Sequence, residues 1–294
     1  MARSRREGGA SHLLLHAFLV VMALVTVYPL LWVLTIAFSG GQSLAIADLP
    51  PEPGKLDLLR AILPWPGRFT MSNFVSVMSD QPFARWMLNS ALVSAATTVV
   101  GVFLASTAAY SFSRFRFPGR RAGMMSFLVS QMFPGTLMLV PLYIIIVQWL
   151  GLGSTRIGLV LVYATIAIPF CVWMLKGYFD TIPRELEEAA IIEGAGPARV
   201  FWTVVIPLAK PAIAVTALFS FMTAWNEFII AATFMDKELD YTAPVGLRFF
   251  VGGFSQSWGY FAAGSVMVAI PVVFLFLYLQ KYLVSGLTAG SVKG

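Results

Sequence analysis

Six long apolar runs settle the class of this chain before any motif is read. They are Leu13 to Phe38, Met87 to Phe112, Ala122 to Leu150, Ile157 to Leu175, Pro211 to Phe234 and Tyr260 to Tyr282. A helix needs about 20 apolar residues to cross the hydrocarbon core of a bilayer. In that core the backbone N–H and C=O groups must be satisfied within the segment, which favours helices. The runs therefore predict an all-α membrane protein with six transmembrane helices. Hydrophobic residues make up 58% of the chain and charged residues only 12%, a balance far from that of a soluble domain. Leu13 to Phe38 is longer than the apolar core of a secretory signal and reads as a retained span.

The runs divide the chain into three parts. Residues 1–86 hold an N-terminal segment, the first span and a Pro-rich outer loop. Residues 87–284 hold five spans and a long loop at 180–210, and residues 285–294 form a small polar tail. The second span carries Ser90, Ser94, Gly101, Ala105 and Ala109; small side chains let helices approach closely in lipid, so this span is expected among other helices. Asn89 is expected to bond to a neighbour. Pro134, Gly135 and Pro141 predict a bend in the third span, and Gly151 to Arg156 a tight turn that makes spans three and four antiparallel. Of the 20 Lys and Arg residues, Lys55, Arg60, Arg68, Arg85, Arg156, Lys237 and Arg248 fall on one side, and the rest lie on the side of the termini. Among the latter, Arg114, Arg116, Arg120 and Arg121 share one short loop. Basic residues concentrate in cytoplasmic loops, so both termini and the 180–210 loop are expected in the cytoplasm. Orientation also accounts for the net charge of +6 without a nucleic-acid partner.

Nothing in the sequence points to chemistry carried out by this chain. It has no G-x-x-x-x-G-K-[ST] phosphate loop, no metal-ligand pair at helical spacing and no nucleophile–base motif. Cys171 is the only cysteine, which excludes a disulfide framework and a Cys-based metal site. His12 and His16, at the start of the first span, read as interfacial. Passage of a solute, or anchoring of another protein, remains.

One stretch between the fourth and fifth spans stands out. Pro183 suits the first position of a helix, where its missing N–H costs nothing. Glu185, Glu187 and Glu188 suit the positive end of the helix dipole. Gly194 and Gly196 can adopt the angles that end a helix. Pro197 can start the next one, and Pro207 and Pro211 interrupt or kink the chain beyond it. The spacing predicts a short helix, a sharp glycine turn and a second helix leading into the membrane. Its Ala and Gly residues give a low-relief surface for a partner, although an ordinary loop helix fits the same composition.

A resemblance attaches to these residues. Glu188-Ala189-Ala190, Gly194, Ile206 and Pro207 match, in order and spacing, the EAA loop of membrane subunits of ATP-binding-cassette importers. Asn89-Ser90, Arg114-Phe115-Arg116-Phe117 with Gly119, Trp225-Asn226-Glu227-Phe228 and the tail extend the match over nearly the whole chain. The tail Gly286 to Gly294 resembles that of the smaller permease subunit of maltose-type importers. Glu193 departs from the usual Asp but keeps the charge. The chain thus resembles the carbohydrate branch of that family and is expected to have the type I importer transmembrane-domain fold. The resemblance implies a bacterial inner-membrane subunit forming half of a pathway for maltose, maltodextrin or a related oligosaccharide. It implies that Glu188, Ala189, Ala190, Glu193, Gly194, Ile206 and Pro207 couple the chain to ATPase subunits. It also implies that Gly290, Ser291, Val292, Lys293 and Gly294 contact those subunits. The implied partners are a second homologous permease, two cytoplasmic ATPases holding ATP and magnesium, an extracytoplasmic sugar-binding protein and the lipid bilayer. No cofactor is implied on this chain, and no residue is marked out for binding sugar.

The rival reading is a transporter or channel working alone through Glu227, the one deep carboxylate. An intramembrane carboxylate is a functional candidate by default, but a single acid without an ion-site cluster or an inverted repeat is a weak basis for coupling. Glu227 falls toward the outer part of the bilayer, and a structural role, reaching the outer headgroups or bonding to a neighbouring helix, explains it slightly better. A scaffold or sensor subunit that transports nothing is a third reading.

Overall fold

The computed structural model describes residues 4–44, 54–64, 69–252 and 256–290, and every regular element among them is helical. In chain order these are α1 (Ser4–Phe38), α2 (Lys55–Ile62), α3 (Ser72–Asp80), α4 (Phe83–Arg114) and α5 (Arg120–Met132). Next come α6 (Leu139–Tyr143), α7 (Arg156–Phe179), α8 (Arg184–Ile192), α9 (Pro197–Val200) and α10 (Ile206–Leu208). Last are α11 (Lys210–Trp225), α12 (Ile229–Phe234), α13 (Ala243–Leu247) and α14 (Trp258–Gly290). The chain divides into two compact units. One is the part up to Gln81 with Leu247–Met267; the other is Pro82–Gly246 with the chain from Val268 onward.

In the first unit α1 is apolar on all sides, and Leu13, Val20, Leu24 and Leu31 are all exposed. Its last carbonyls have no partner within the helix. Asn73 of α3 supplies one, its Nδ2 donating to Ala37 O at 3.1 Å. Gln42 Nε2 in turn donates to Asn73 Oδ1 at 2.8 Å.

In the second unit α4, α7 and α11 pack against one another. Ala105 and Ala109 of α4 meet Ala167, Cys171, Val172 and Leu175 of α7 and Ala212 of α11 in one buried cluster. Small residues at these positions allow the close approach on which helix association in lipid depends. A second cluster joins Val93 of α4 to Leu159, Val162 and Tyr163 of α7 and to Ile230, Ala231 and Phe234 of α12. The start of α4 is clamped by the segment before α13. Trp86 Nε1 donates to Glu238 O at 2.8 Å, and Asn89 Nδ2 to Leu239 O and Tyr241 O at 2.9 Å each. The structural part expected of Asn89 is thus observed.

Among the described residues four helices, in α1, α4, α7 and α14, are long and apolar enough to cross a membrane; two bent pairs bring the number to six if each counts as one span. The third run is no continuous helix. Its two halves meet at 100°, because Phe133, which precedes Pro134, is forced to extended angles (φ −81°, ψ 127°). Ahead of the fifth run, as expected from Pro207 and Pro211, the segment Pro197–Leu208 meets Lys210–Trp225 at 82°, because those prolines lack the N–H groups that would carry a helix through. The fifth run itself is interrupted between Trp225 and Ile229. The helix then ends at Trp225, so Glu227 lies in a break and not inside a span. At the other end of the chain α14 runs on to Gly290, past the boundary expected near Tyr282.

Candidate functional site

Helix α8 is nine residues long, too short to persist in water without help. Its ends are held locally. Pro183 precedes the helix with φ −57° and ψ 132°, one residue earlier than the expected first helical position. Its missing N–H is harmless there, and Glu185 and Glu187 in the first turn favour the dipole. At the other end Gly194 has φ +88°. Gly194 N donates to Ile191 O and Ala195 N to Ala190 O, each at 2.9 Å. This crossed pair around a left-handed glycine is a Schellman cap. Gly196, expected to share the helix-ending role, is instead extended and precedes α9, with Pro197 at its start.

The helix has two unlike faces. Glu188, Ala189 and Glu193 are exposed, as are Leu186, Ile191 and Ile192, with Ile192 87% accessible. On the opposite face Glu187 is buried, and Ala190 and Ala195 pack against the cluster of α4 and α7. The Ala190 side chain therefore belongs to the inner face and not to the low-relief outer surface. The outward face thus sets exposed leucine and isoleucine beside carboxylates.

Sequence reasoning did not single out the inner-face charges. Glu187 Oε1 accepts from Arg114 Nε at 2.5 Å, with both side chains over nine-tenths buried. Tyr110 Oη donates to Glu187 Oε2 at 3.2 Å, and Arg114 Nη2 to Ile182 O at 3.1 Å. Ser113 Oγ donates to Asp180 Oδ1 at 2.6 Å, and Lys176 Nζ to Asp180 Oδ2 at 2.6 Å. The last turn of α4, the end of α7 and the root of α8 are thus laced together. The signal was present in the spacing, since Glu187 precedes the inward Ala190 by three residues and so shares its face.

Burial pushes the Asp180 carboxyl up, but the bonds from Lys176 and Ser113 and the charges of Lys176 and Arg114 outweigh it, holding the group below its ordinary value. With the folded value lowered, its stabilisation is present above the ordinary carboxylate pKa of about 4. It is lost as pH falls through the folded value. Asp180→Asn is expected to be less sensitive than the parent to acid below about pH 4, which thermal unfolding in detergent across that range would measure.

Ile206 and Pro207 lie on α10, in the elbow before α11. Ile206 lines an apolar groove of about 330 Å³ with Val102 and Ser106 of α4, Trp202 and Ala217 of α11, and Pro207 is exposed. Gly290 ends α14, and Ser291, Val292, Lys293 and Gly294 lie outside the described residues. Glu227 has a structural employment. Its Oε1 accepts from Ile230 N at 2.8 Å, and its Oε2 from Ala231 N at 3.0 Å and Tyr163 Oη at 2.8 Å. It caps α12 and pins it to α7. Glu227→Gln keeps only one acceptor oxygen and is expected to cost about 1–2 kcal/mol of stability. Transport by the assembled system should stay within about threefold of the parent, since nothing in this role requires a proton to move.

The family described as "Binding-protein-dependent transport system inner membrane component" matches residues 98–288. The chain is 35% identical over 280 residues to the maltodextrin transport system permease protein MdxG of Bacillus subtilis, covering 95% of each. It is 36% identical over 280 residues to the galactooligosaccharides transport system permease protein GanQ of the same organism, covering 95% of this chain and 94% of that one. Its fold is similar to a chain in the crystal structure of a bacterial transporter involved in alginate import. The TM-score is 0.77 at 24% identity, over 96% of this chain and 98% of the other.

Proposed function

Because the chain belongs to the family of inner membrane components of binding-protein-dependent transport systems, we propose that it is a permease subunit of an ATP-driven oligosaccharide importer. It is a multi-pass transport subunit and not an enzyme, and it works with an ATPase and a substrate-binding protein. The substrate class follows the relatives, which serve maltodextrin and galactooligosaccharides, and maltose or a maltodextrin is the first candidate. One second permease completes the pathway, and two ATPase subunits hold ATP and magnesium. Both termini and α8 face the cytoplasm, in keeping with the excess of basic residues on that side. The sugar-binding protein delivers its load from the opposite face.

The observation that carries this reading is the construction of α8. It is a short helix preceded by Pro183 and closed by the Gly194 cap, with Leu186, Ile191, Ile192 and Glu188 turned outward and Glu187 tied to the bundle. That arrangement offers a surface to an external protein and a firm connection behind it. The outer face, including Ala189, Glu193 and the Gly194 turn, enters a cleft of the ATPase. Ile206 and Pro207 shape the elbow that connects this helix to α11, and Gly290 to Gly294 add a second ATPase contact.

The test is reconstitution in liposomes. The complete system with ATPases, second permease and sugar-loaded binding protein is expected to import oligosaccharide on ATP. The chain alone is expected to show no uptake under an ion gradient. Gradient-driven uptake by the chain alone would overturn the proposal in favour of Glu227-dependent transport.

A further inference from the structure

Helix α4 is unbroken for 32 residues, about 48 Å at 1.5 Å per residue. Its two ends are fixed to different things. At its start Arg85, Trp86 and Asn89 hold the backbone of residues 238–241. At its last residue Arg114 is paired with Glu187 of α8. Most arginines near span ends need no partner beyond water and headgroups. Arg114 instead spends three donors on the protein: Nε on Glu187, Nη1 on Ser113 Oγ and Nη2 on Ile182 O. Glu187 likewise accepts on both oxygens, from Arg114 and Tyr110. A buried pair of this kind is a poor source of net stability, because removing two charges from water offsets most of their attraction. Its value is directional, since a planar guanidinium with several fixed acceptors resists rotation and sliding.

We propose that Arg114 is a positioning residue for energy coupling: its ion pair with Glu187 makes α8 and α4 move as one, so that a displacement of α8 reaches the segment clamped at the other end of α4. This rests on the reading of α8 as the ATPase-docking helix. It adds the route by which the two faces of the membrane communicate. Signals travel both ways along a linked pair of sites, so a sugar-loaded binding protein pressing on the outer segment stimulates the ATPase through the same joint.

The experiment uses the complete importer in lipid nanodiscs and proteoliposomes. Two ratios are read for each purified complex: sugar imported per ATP hydrolysed, and ATPase rate with against without the loaded binding protein. Arg114→Gln and Glu187→Gln are each expected to lower both ratios about tenfold, within the usual range of coupling between sites. The charge-swapped double variant, Arg114→Glu with Glu187→Arg, is expected to recover to within about threefold of the parent, as a pairwise interaction requires. Both ratios are taken per assembled complex, so a lower yield of folded protein does not move them. Parent-like ratios in both single variants, or a double variant no better than either, overturn the inference while leaving the proposed function standing. If a single variant fails to assemble, Arg114→Lys decides. It keeps the charge but loses the planar fork that also holds Ser113 Oγ and Ile182 O, and an unchanged pair of ratios there overturns the inference. A parent complex that neither imports sugar nor responds to the binding protein removes the function on which it rests.

Discussion

Replacing Gly194 with proline, or Glu188 with lysine, is expected to lower ATP-driven uptake by about 10- to 100-fold, the scale of energetic coupling between linked sites, with membrane insertion intact. The two substitutions reach that result by different routes. Gly194 sits at φ +88°, whereas a proline ring fixes φ near −65°. Proline also deletes the N–H that bonds to Ile191 O and pushes Glu193 before it towards extended angles. With its last carbonyls released, a helix of nine residues loses its C-terminal turn. The Glu188 side chain is exposed, so lysine there leaves the fold untouched and reverses one charge on the proposed docking face. Charge reversal at a complementary interface costs several kcal/mol against the cognate partner. Uptake and ATP hydrolysis measured together in proteoliposomes separate the effects, since hydrolysis should continue in complexes that still form. Normal uptake by both variants would remove α8 from the coupling path.

Gly246→Leu is expected to be the most damaging single change to the fold away from α8. A Cβ at Gly246 would stand 2.0 Å from Cε3 of Trp86, with Cδ2 at 2.4 Å and Cζ3 at 2.6 Å. The indole cannot step aside, because it is fully buried and its N–H is committed to Glu238 O. Overpacking a fixed site costs about 1–3 kcal/mol, occasionally more, or roughly 2–12 °C in melting temperature for a unit of this size. Even Gly246→Ala should show a large part of it, since the clash involves Cβ itself. Trp86→Leu combined with Gly246→Ala should melt higher than Gly246→Ala alone, as room returns beside the new methyl. Thermal unfolding in detergent measures both. A Gly246→Leu protein as stable as the parent would mean that the clamp between α4 and α13 is looser than its geometry indicates.

Apolar length marked out the spans and their order, four of them as continuous helices and two as bent pairs, because the bilayer imposes a single strong requirement on any helix that crosses it. The helix at 184–192 and its glycine cap were also legible, since Gly194 and the acidic first turn act through local backbone physics. The breaks were legible only as bends. Pro134 and Pro207 announce a bend, but whether a proline bends a helix or ends it depends on what else can satisfy the freed carbonyls. For the same reason Glu227 was expected inside a span, whereas the folded chain uses it to cap α12. Arg114 was read as one of four topogenic arginines, and its pairing with Glu187, 73 residues away, is invisible to any local pattern. Charge grouped the residue with the α8 end of the bundle; only tertiary contact gave it a task.

The bareness of α1 has a consequence for how the protein is made. None of the most apolar window of that helix is buried by the rest of the chain, so lipid alone meets its needs as soon as it leaves the translocon. A nascent chain can therefore be anchored while the ribosome is still building α4 and α7, which enter the membrane only after a tether is already in place.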